Sequence, residues 1–217
     1  MSKYQRIFID LDGTLTDSGP GILNCVRYAL SKFDITDAPE EVLRCFIGPP
    51  LTDAFSEYFG FSEEDAKTAV LYYRERYTDI GLFENTVYDG IPEMLSRLRE
   101  AGKTLILATA KPEPFAKRIL EHFGLDSYFD LMVGATFDGT RHNKIDVLRH
   151  ALSGVKDASI KESVMVGDRS HDCLGAAHFG MDCIGVLYGY GSREELTEAG
   201  AKHLAKTPED VCQIILE

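Results

Sequence analysis

Short, almost purely apolar runs alternate with amphipathic helical segments over most of this chain, and this alternation constrains the fold more than any other feature. The runs are residues 5–9, 104–108, 131–133, 163–166 and 183–187. Strands that are apolar on both faces are typical of a parallel sheet covered by helices on both sides. Because strands and helices alternate from residue 85 onward, we predict βαβ units with right-handed crossovers and an α/β fold built on a doubly wound parallel sheet.

Residues 15–84 break this alternation, since they contain no convincing strand. Their apolar spacing predicts four helices, near residues 20–33, 39–46, 51–59 and 62–79. We interpret 15–84 as a helical cap domain inserted into a core domain formed by residues 1–14 and 85–217. The alternative is a helical layer packed on one edge of the sheet.

Charge and cysteine content exclude several classes of protein. The 217 residues include 23 basic and 35 acidic side chains, a net charge of -12, which disfavours binding to nucleic-acid polymers and to anionic membranes. No apolar run approaches the roughly 18 residues of a membrane span. The five cysteines are scattered and form no CxxC, so we expect reduced thiols and a cytoplasmic protein. We expect a monomer or a weak homodimer.

Two aspartates directly follow the first buried run. Asp10 and Asp12 are two residues apart, and Gly13 permits the tight turn that follows them. Functional sites of open α/β sheets lie outside the carboxyl ends of the strands, so both carboxylates are candidate site residues. The alternative is a loop in which the aspartates only cap backbone amides.

A second acidic pair follows another buried run. Asp168 and Asp172 come after the run 163–166, and their spacing of four would place them on one side of a helix if a helix started here. Four carboxylates at two strand ends, with few histidines or cysteines nearby, suit Mg²⁺ better than zinc. The alternative for this pair is simple capping of a helix N-terminus.

Two basic positions complete the candidate site. Thr109, Ala110 and Lys111 end the run 104–108, and Lys144 begins a helical segment. A hydroxyl and an ammonium at a strand end can hold a phosphoryl oxygen. Lys111 could instead face only the rim of the crevice, and neither position alone indicates a function. The incomplete glycine pattern at residues 189–191 gives no support for dinucleotide binding.

Together these segments resemble the haloacid dehalogenase-like superfamily, and in particular its phosphoglycolate phosphatase-like and 5′-nucleotidase-like members with a helical cap. The resemblance rests on FIDLDGTLTDS (8–18), Thr109, Lys144 and GDRSHD (167–172), and it spans essentially the whole chain. It implies a Rossmann-like core with an inserted cap, and Mg²⁺-dependent hydrolysis of small phosphomonoesters. The second aspartate, Asp12, disfavours dehalogenase chemistry.

The resemblance also implies a role for each matched residue. Asp10 is the expected nucleophile that forms an aspartyl-phosphate, and Asp12 the expected general acid and base. Thr109 and Lys144 are expected to bind the phosphoryl oxygens, with Ala110 and Lys111 beside them. The expected Mg²⁺ ligands are the Asp10 carboxylate, the Asp12 backbone carbonyl and Asp168, with Asp172 in support.

In the cap, Arg44 and the loop around Gly48 resemble the segment that reads the substrate in such relatives. The first candidate substrates are phosphoglycolate and nucleoside 5′-monophosphates. A phosphomutase of the β-phosphoglucomutase type and a pyrophosphatase-like enzyme remain alternatives, as does a phosphate-sensing module without activity. The catalytic motifs alone do not separate these outcomes.

Overall fold

The computed structural model describes residues 3–155 and 159–217. Strands β1, β4, β5, β6, β7 and β8 form one parallel sheet, and β2 and β3 form a separate two-stranded sheet. The strands are β1 (Arg6–Ile9), β2 (Thr16–Asp17), β3 (Thr86–Val87), β4 (Thr104–Pro112), β5 (Leu131–Ala135), β6 (Ser163–Gly167), β7 (Asp182–Val186) and β8 (His203–Ala205).

Ten α-helices accompany these strands in the described part of the chain. They are α1 (Gly19–Ser31), α2 (Glu40–Arg44), α3 (Leu51–Phe59), α4 (Glu63–Arg76), α5 (Ile91–Glu100), α6 (Glu113–His122), α7 (Lys144–Gly154), α8 (Ser170–His178), α9 (Arg193–Glu198) and α10 (Pro208–Leu216). The apolar stripes that predicted α5, α6 and α7 are the buried faces of these helices.

The order of the strands creates a crevice at the centre of the large sheet. The order is β5-β4-β1-β6-β7-β8, so the chain runs outward from β1 through β4 to β5 and then returns to the other side of β1. At the end of β1 three strands are in register, because Ile9 of β1 lies opposite both Leu107 of β4 and Val166 of β6. Ligands of open α/β sheets bind where the winding reverses, at the carboxyl ends of the strands. The predicted α/β fold with a doubly wound parallel sheet is confirmed.

The core explains why the strands are apolar on both faces. Phe8 of β1, Ile106 of β4 and Met165 of β6 are fully buried, and they pack with residues of α7 and α8, among them Leu148 and Ala176. Burial of this kind removes roughly 25 cal/mol of unfavourable hydration for each square ångström of apolar surface. The central strands therefore form a rigid base at whose ends polar residues can be held.

The chain divides into two compact units. One consists of the residues up to Thr16 together with Val87–Glu217, and it contains the large sheet. The other, Asp17–Thr86, is helical. Its interior is aromatic, with the Phe46 and Phe55 rings 4.9 Å apart in an edge-to-face arrangement. Within this unit Arg76 also forms a two-pronged ion pair with Glu84, at 2.6 and 2.8 Å.

Several local features differ from the sequence-based expectations. The two-residue strands β2 and β3 were not predicted, and β2 lies inside residues 15–84, where no strand is expected, because two residues are too few to form an apolar run. Strand β4 continues to Pro112 instead of ending at residue 108. The helix expected over 62–79 ends at Arg76 and widens into a π-helical turn, in which Leu82 N donates to Tyr77 O at 2.8 Å. Strand β8 was not predicted, because a three-residue edge strand that begins with a histidine carries no apolar run.

Candidate active site

The carboxyl ends of β1 and β6 bring three aspartates together. Asp10 follows β1, Asp168 follows β6, and Asp172 lies in the first turn of α8. Each offers an oxygen, and these oxygens all lie within 4.8 Å of one another. The exposed fractions of Asp10, Asp168 and Asp172 are 9%, 0% and 1%. Carboxylates that lie this close together and are shielded from water repel one another and require a compensating positive charge.

Lys144, the first residue of α7, supplies one such charge. Its Nζ lies 2.8 Å from Asp10 Oδ1 and 2.7 Å from Asp172 Oδ1, and it donates to Ala108 O at 2.9 Å. Burial alone would lower the pKa of Lys144, but the carboxylates of Asp10 and Asp172 outweigh it and raise this pKa above its ordinary value. The cluster therefore contains three carboxyl groups and one ammonium, which contacts two of them. When all three carboxyl groups are ionised, negative charge is in excess.

The excess charge appears in the acid–base properties of the aspartates. Burial raises the pKa of Asp10 to about 6; Lys144 opposes this rise and the Asp172 charge adds to it. Burial, followed by the charges of Asp172 and Asp10, raises the pKa of Asp168 well above its ordinary range. Among the described residues, Asp10 Oδ1 and Asp172 Oδ1 also accept no well-aligned hydrogen bond beyond their charge contact with Lys144. These oxygens suit a cation that prefers oxygen ligands, such as Mg²⁺.

Three glycines approach Asp168 so closely that there is no room for a side chain at their positions. Gly13 adopts φ +80°, and a Cβ there would lie 2.1 Å from Asp168 Oδ2. A Cβ on Gly189 would lie 2.4 Å from Asp168 Cβ, and one on Gly191 would lie 1.9 Å from Asp168 O. Tyr190 N donates to Asp168 Oδ2 at 2.8 Å. The loop 189–191, whose sequence gives no support for dinucleotide binding, therefore holds Asp168 in place.

Asp172 combines a local role with its place in the cluster. Helix α8 begins at Ser170, so Asp168 precedes the helix and the two aspartates do not share a helix face as the sequence suggested. Asp172 Oδ2 accepts from Arg169 N at 3.2 Å, as capping residues do. Asp172 Oδ1 meanwhile contacts Lys144. The capping alternative and the site role are therefore both present in one side chain.

Asp12 is not one of the three clustered carboxylates, and its side chain is paired with Lys111. Lys111 Nζ contacts its Oδ2 at 2.7 Å and its Oδ1 at 2.9 Å. Lys111 is expected beside the phosphoryl group or at the rim of the crevice; in the structure its ammonium contacts Asp12. Thr109, almost fully buried, accepts a hydrogen bond on Oγ1 from Lys111 N at 3.2 Å. Ala110, which lies between Thr109 and Lys111 in the sequence, is half-buried.

The expected substrate-reading residues belong to the helical unit. Arg44 ends α2 and is exposed, with its guanidinium 3.6 Å from Glu40. Gly48 adopts φ +112°, a conformation that favours glycine. The role of Arg44 and Gly48 in binding substrate stays a prediction.

Comparisons with known proteins identify the family of this chain. Residues 7–186 match the family model described as haloacid dehalogenase-like hydrolase. A 5′-nucleotidase from Pseudomonas aeruginosa is 46% identical over 89% of this chain and 87% of its own. The tyrosine-protein kinase PtkA from Mycobacterium tuberculosis is 42% identical over 86% of this chain, which spans 63% of that protein. A phosphoglycolate phosphatase from Colwellia psychrerythraea is 26% identical over 92% of both chains.

A solved structure extends the likeness to the fold. A crystal structure described as a predicted phosphatase from Clostridium acetobutylicum superposes with a TM-score of 0.93, at 45% identity and over 99% of both chains. In the described part of this chain, no helix has the length and apolar character needed to cross a membrane. The family match over most of the chain and the close relatives confirm the resemblance, and the chain belongs to the haloacid dehalogenase-like hydrolases as a phosphatase of that family.

Proposed function

We propose that this enzyme is a Mg²⁺-dependent phosphatase that hydrolyses nucleoside 5′-monophosphates through a phosphorylated Asp10. The observation that supports it most directly is the position of Asp10 at the end of β1, beside Lys144 and two further buried carboxylates. The preference for nucleotides over phosphoglycolate follows the relatives, since the 5′-nucleotidase is 46% identical and the phosphoglycolate phosphatase 26%.

The acidic cluster fits the metal that this chemistry needs. Asp10 and Asp168 would hold Mg²⁺ through carboxylate oxygens, together with the backbone carbonyl of Asp12. Asp172 lies close enough to complete the set or to hold Lys144. When bound, the ion would neutralise charge on the phosphoryl group and allow an anionic nucleophile to approach it.

The first half of the reaction transfers the phosphoryl group to the enzyme. Asp10, as a carboxylate, attacks phosphorus, and the bond from phosphorus to the leaving oxygen breaks. Asp12 donates a proton to that oxygen as it leaves. Lys144 stays beside Asp10 and, with Thr109, would stabilise the charge on the phosphoryl oxygens.

The second half returns the enzyme to its starting state. Asp12, now a carboxylate, accepts a proton from a water molecule as that water attacks the phosphorus. The bond between phosphorus and the Asp10 oxygen breaks, and inorganic phosphate leaves. Asp12 therefore serves first as an acid and then as a base. Both roles are needed because hydrolysis is divided into two displacements at phosphorus.

Release of inorganic phosphate from a set of phosphorylated metabolites, with and without Mg²⁺, tests this proposal. We expect nucleoside 5′-monophosphates to be the best substrates, no requirement for a sugar bisphosphate, and a loss of kcat by a factor of about 10³ or more in Asp10→Asn. Asp34→Asn is the matched control, because Asp34 is exposed and its φ of +58° suits asparagine equally well. Turnover by Asp10→Asn within tenfold of wild type would contradict the proposal, and activity only with a sugar bisphosphate would indicate a mutase.

A further inference from the structure

The ion pair between Lys111 and Asp12 does not include the three clustered carboxylates, and it is largely buried. The Lys111 ammonium spans both carboxylate oxygens, at 2.7 and 2.9 Å. The two side chains are only 5% and 19% exposed, respectively. An ammonium that contacts both oxygens restricts rotation of the carboxylate about its terminal bond. Most ion pairs on a protein surface are flexible and contribute little, but this one is enclosed.

An irregularity in β4 lies at the segment that carries Lys111. The register between β4 and β5 shifts between Ala108 and Pro112. Such bulges occur next to active sites, where they change the direction of a side chain. Gly134 of β5 packs against the irregular segment so closely that a Cβ there would lie 2.6 Å from Lys111 O. The backbone at Lys111 is therefore held by the neighbouring strand.

From this arrangement we infer that Lys111 is a positioning residue, which holds the Asp12 side chain in the orientation required for proton transfer to the leaving oxygen. When Asp12 Oδ1 carries that proton, the ammonium keeps its 2.7 Å contact with Oδ2. The inference rests on the proposed function, in which Asp12 is the acid and base. It differs from the role that the sequence analysis considered for Lys111, binding of the phosphoryl group. In the structure the ammonium that contacts Asp10 belongs to Lys144, whereas Lys111 contacts Asp12.

The two roles of Lys111 predict different dependences on the leaving group. Departure of the poorly acidic 5′-hydroxyl of a nucleotide needs protonation, whereas p-nitrophenolate leaves without it. A residue that positions the acid should therefore matter for the nucleotide and little for p-nitrophenyl phosphate. A residue that binds the phosphoryl group should matter equally for both. The relevant constant is kcat/KM, because it covers the steps up to departure of the leaving group.

The experiment compares Lys111→Met with wild type on a nucleoside 5′-monophosphate and on p-nitrophenyl phosphate. We expect kcat/KM to fall about 100-fold for the nucleotide, within the range of acid–base catalysis, and by less than about tenfold for p-nitrophenyl phosphate. The inhibition constant of inorganic phosphate should change by less than about threefold. Lys111→Arg, which keeps the charge, should recover most of the nucleotide activity. Lys202→Met is the control, since Lys202 is exposed and pairs with Asp182.

A second variant shows whether Lys111 acts through Asp12. In an Asp12→Asn background, Lys111→Met should cause less than about a threefold further loss, because residues that act as a unit are not additive. Equal losses on the two substrates, a weakened affinity for inorganic phosphate, or additive losses in the double variant would each overturn the inference. If Lys111→Met fails to fold, Lys111→Gln takes its place in every arm.

Failure of this inference is distinguishable from failure of the proposed function. If the proposed function is wrong, wild type hydrolyses neither substrate, or Asp10→Asn retains turnover. If only the role of Lys111 is wrong, wild type hydrolyses both substrates and Asp10→Asn is inactive, but the leaving-group dependence of Lys111→Met matches that of wild type.

Discussion

Replacement of Asp10 by asparagine should make the metal-free protein more stable while it abolishes turnover. The pKa of Asp10 rises from 3.8 to about 6 in the folded protein, chiefly because the carboxyl group is buried. A pKa shift of about two units means that ionisation of this side chain destabilises the folded state by about 3 kcal/mol. This value already includes the attraction of Lys144, which lowers the pKa. Asparagine, like the protonated acid, avoids the cost.

The pH dependence of the difference follows from the direction of the shift. Since the folded state binds the Asp10 proton more tightly than the unfolded state does, wild-type stability falls as the pH rises from about 4 to about 6. Above pH 6 the full penalty is present. Asp10→Asn should therefore match wild type below about pH 4 and exceed it at pH 8, by up to about 3 kcal/mol.

Thermal unfolding in EDTA measures this difference. For a chain of this length, about 3 kcal/mol corresponds to a rise in Tm of roughly 6–12 °C. Addition of Mg²⁺ at about 1,000 times Kd should reverse the order, because binding at that concentration stabilises wild type by about 4 kcal/mol and the variant lacks one ligand. Asp34→Asn should follow wild type throughout. If the Tm of metal-free Asp10→Asn at pH 8 is equal to or below that of wild type, the reasoning about the acidic cluster is refuted.

Two further substitutions test the same cluster. Lys144→Met removes the ammonium beside two buried carboxylates, so the metal-free protein should lose about 3–5 kcal/mol of stability. An unchanged urea midpoint in EDTA would contradict this expectation. Gly13→Ala places a Cβ 2.1 Å from Asp168 Oδ2 at a φ of +80°. We therefore expect the free energy of unfolding to fall by about 2 kcal/mol or more and Tm to rise less on addition of Mg²⁺. A response of Tm to Mg²⁺ equal to that of wild type would argue against a role of this turn in holding Asp168.

The positions of Asp10 and Asp168 were predictable because the apolar run that ends at each of them is local information. Parallel strands end at the same edge of a sheet, so two such runs sufficed to place both carboxylates in one region. Strand β8 escaped prediction because an edge strand with one covered side needs no continuous apolar run.

The partner of Asp12 was not predictable from local sequence. The contact with Lys111 depends on the register shift in β4 and on its fit against Gly134, two features that involve chain segments far apart in sequence. The role of the loop 189–191 was missed for a similar reason. Its glycines are required by the close approach of Asp168, which no pattern within the loop reveals.

The amide of Asp10 donates to Val166 O at 3.0 Å, so the backbone of the candidate nucleophile is itself part of the hydrogen-bonded ladder between β1 and β6. Solvent deuterium can replace that proton only when the central ladder separates. The exchange rate at this one amide therefore reports the free energy of opening the catalytic scaffold, independently of fraying at the periphery.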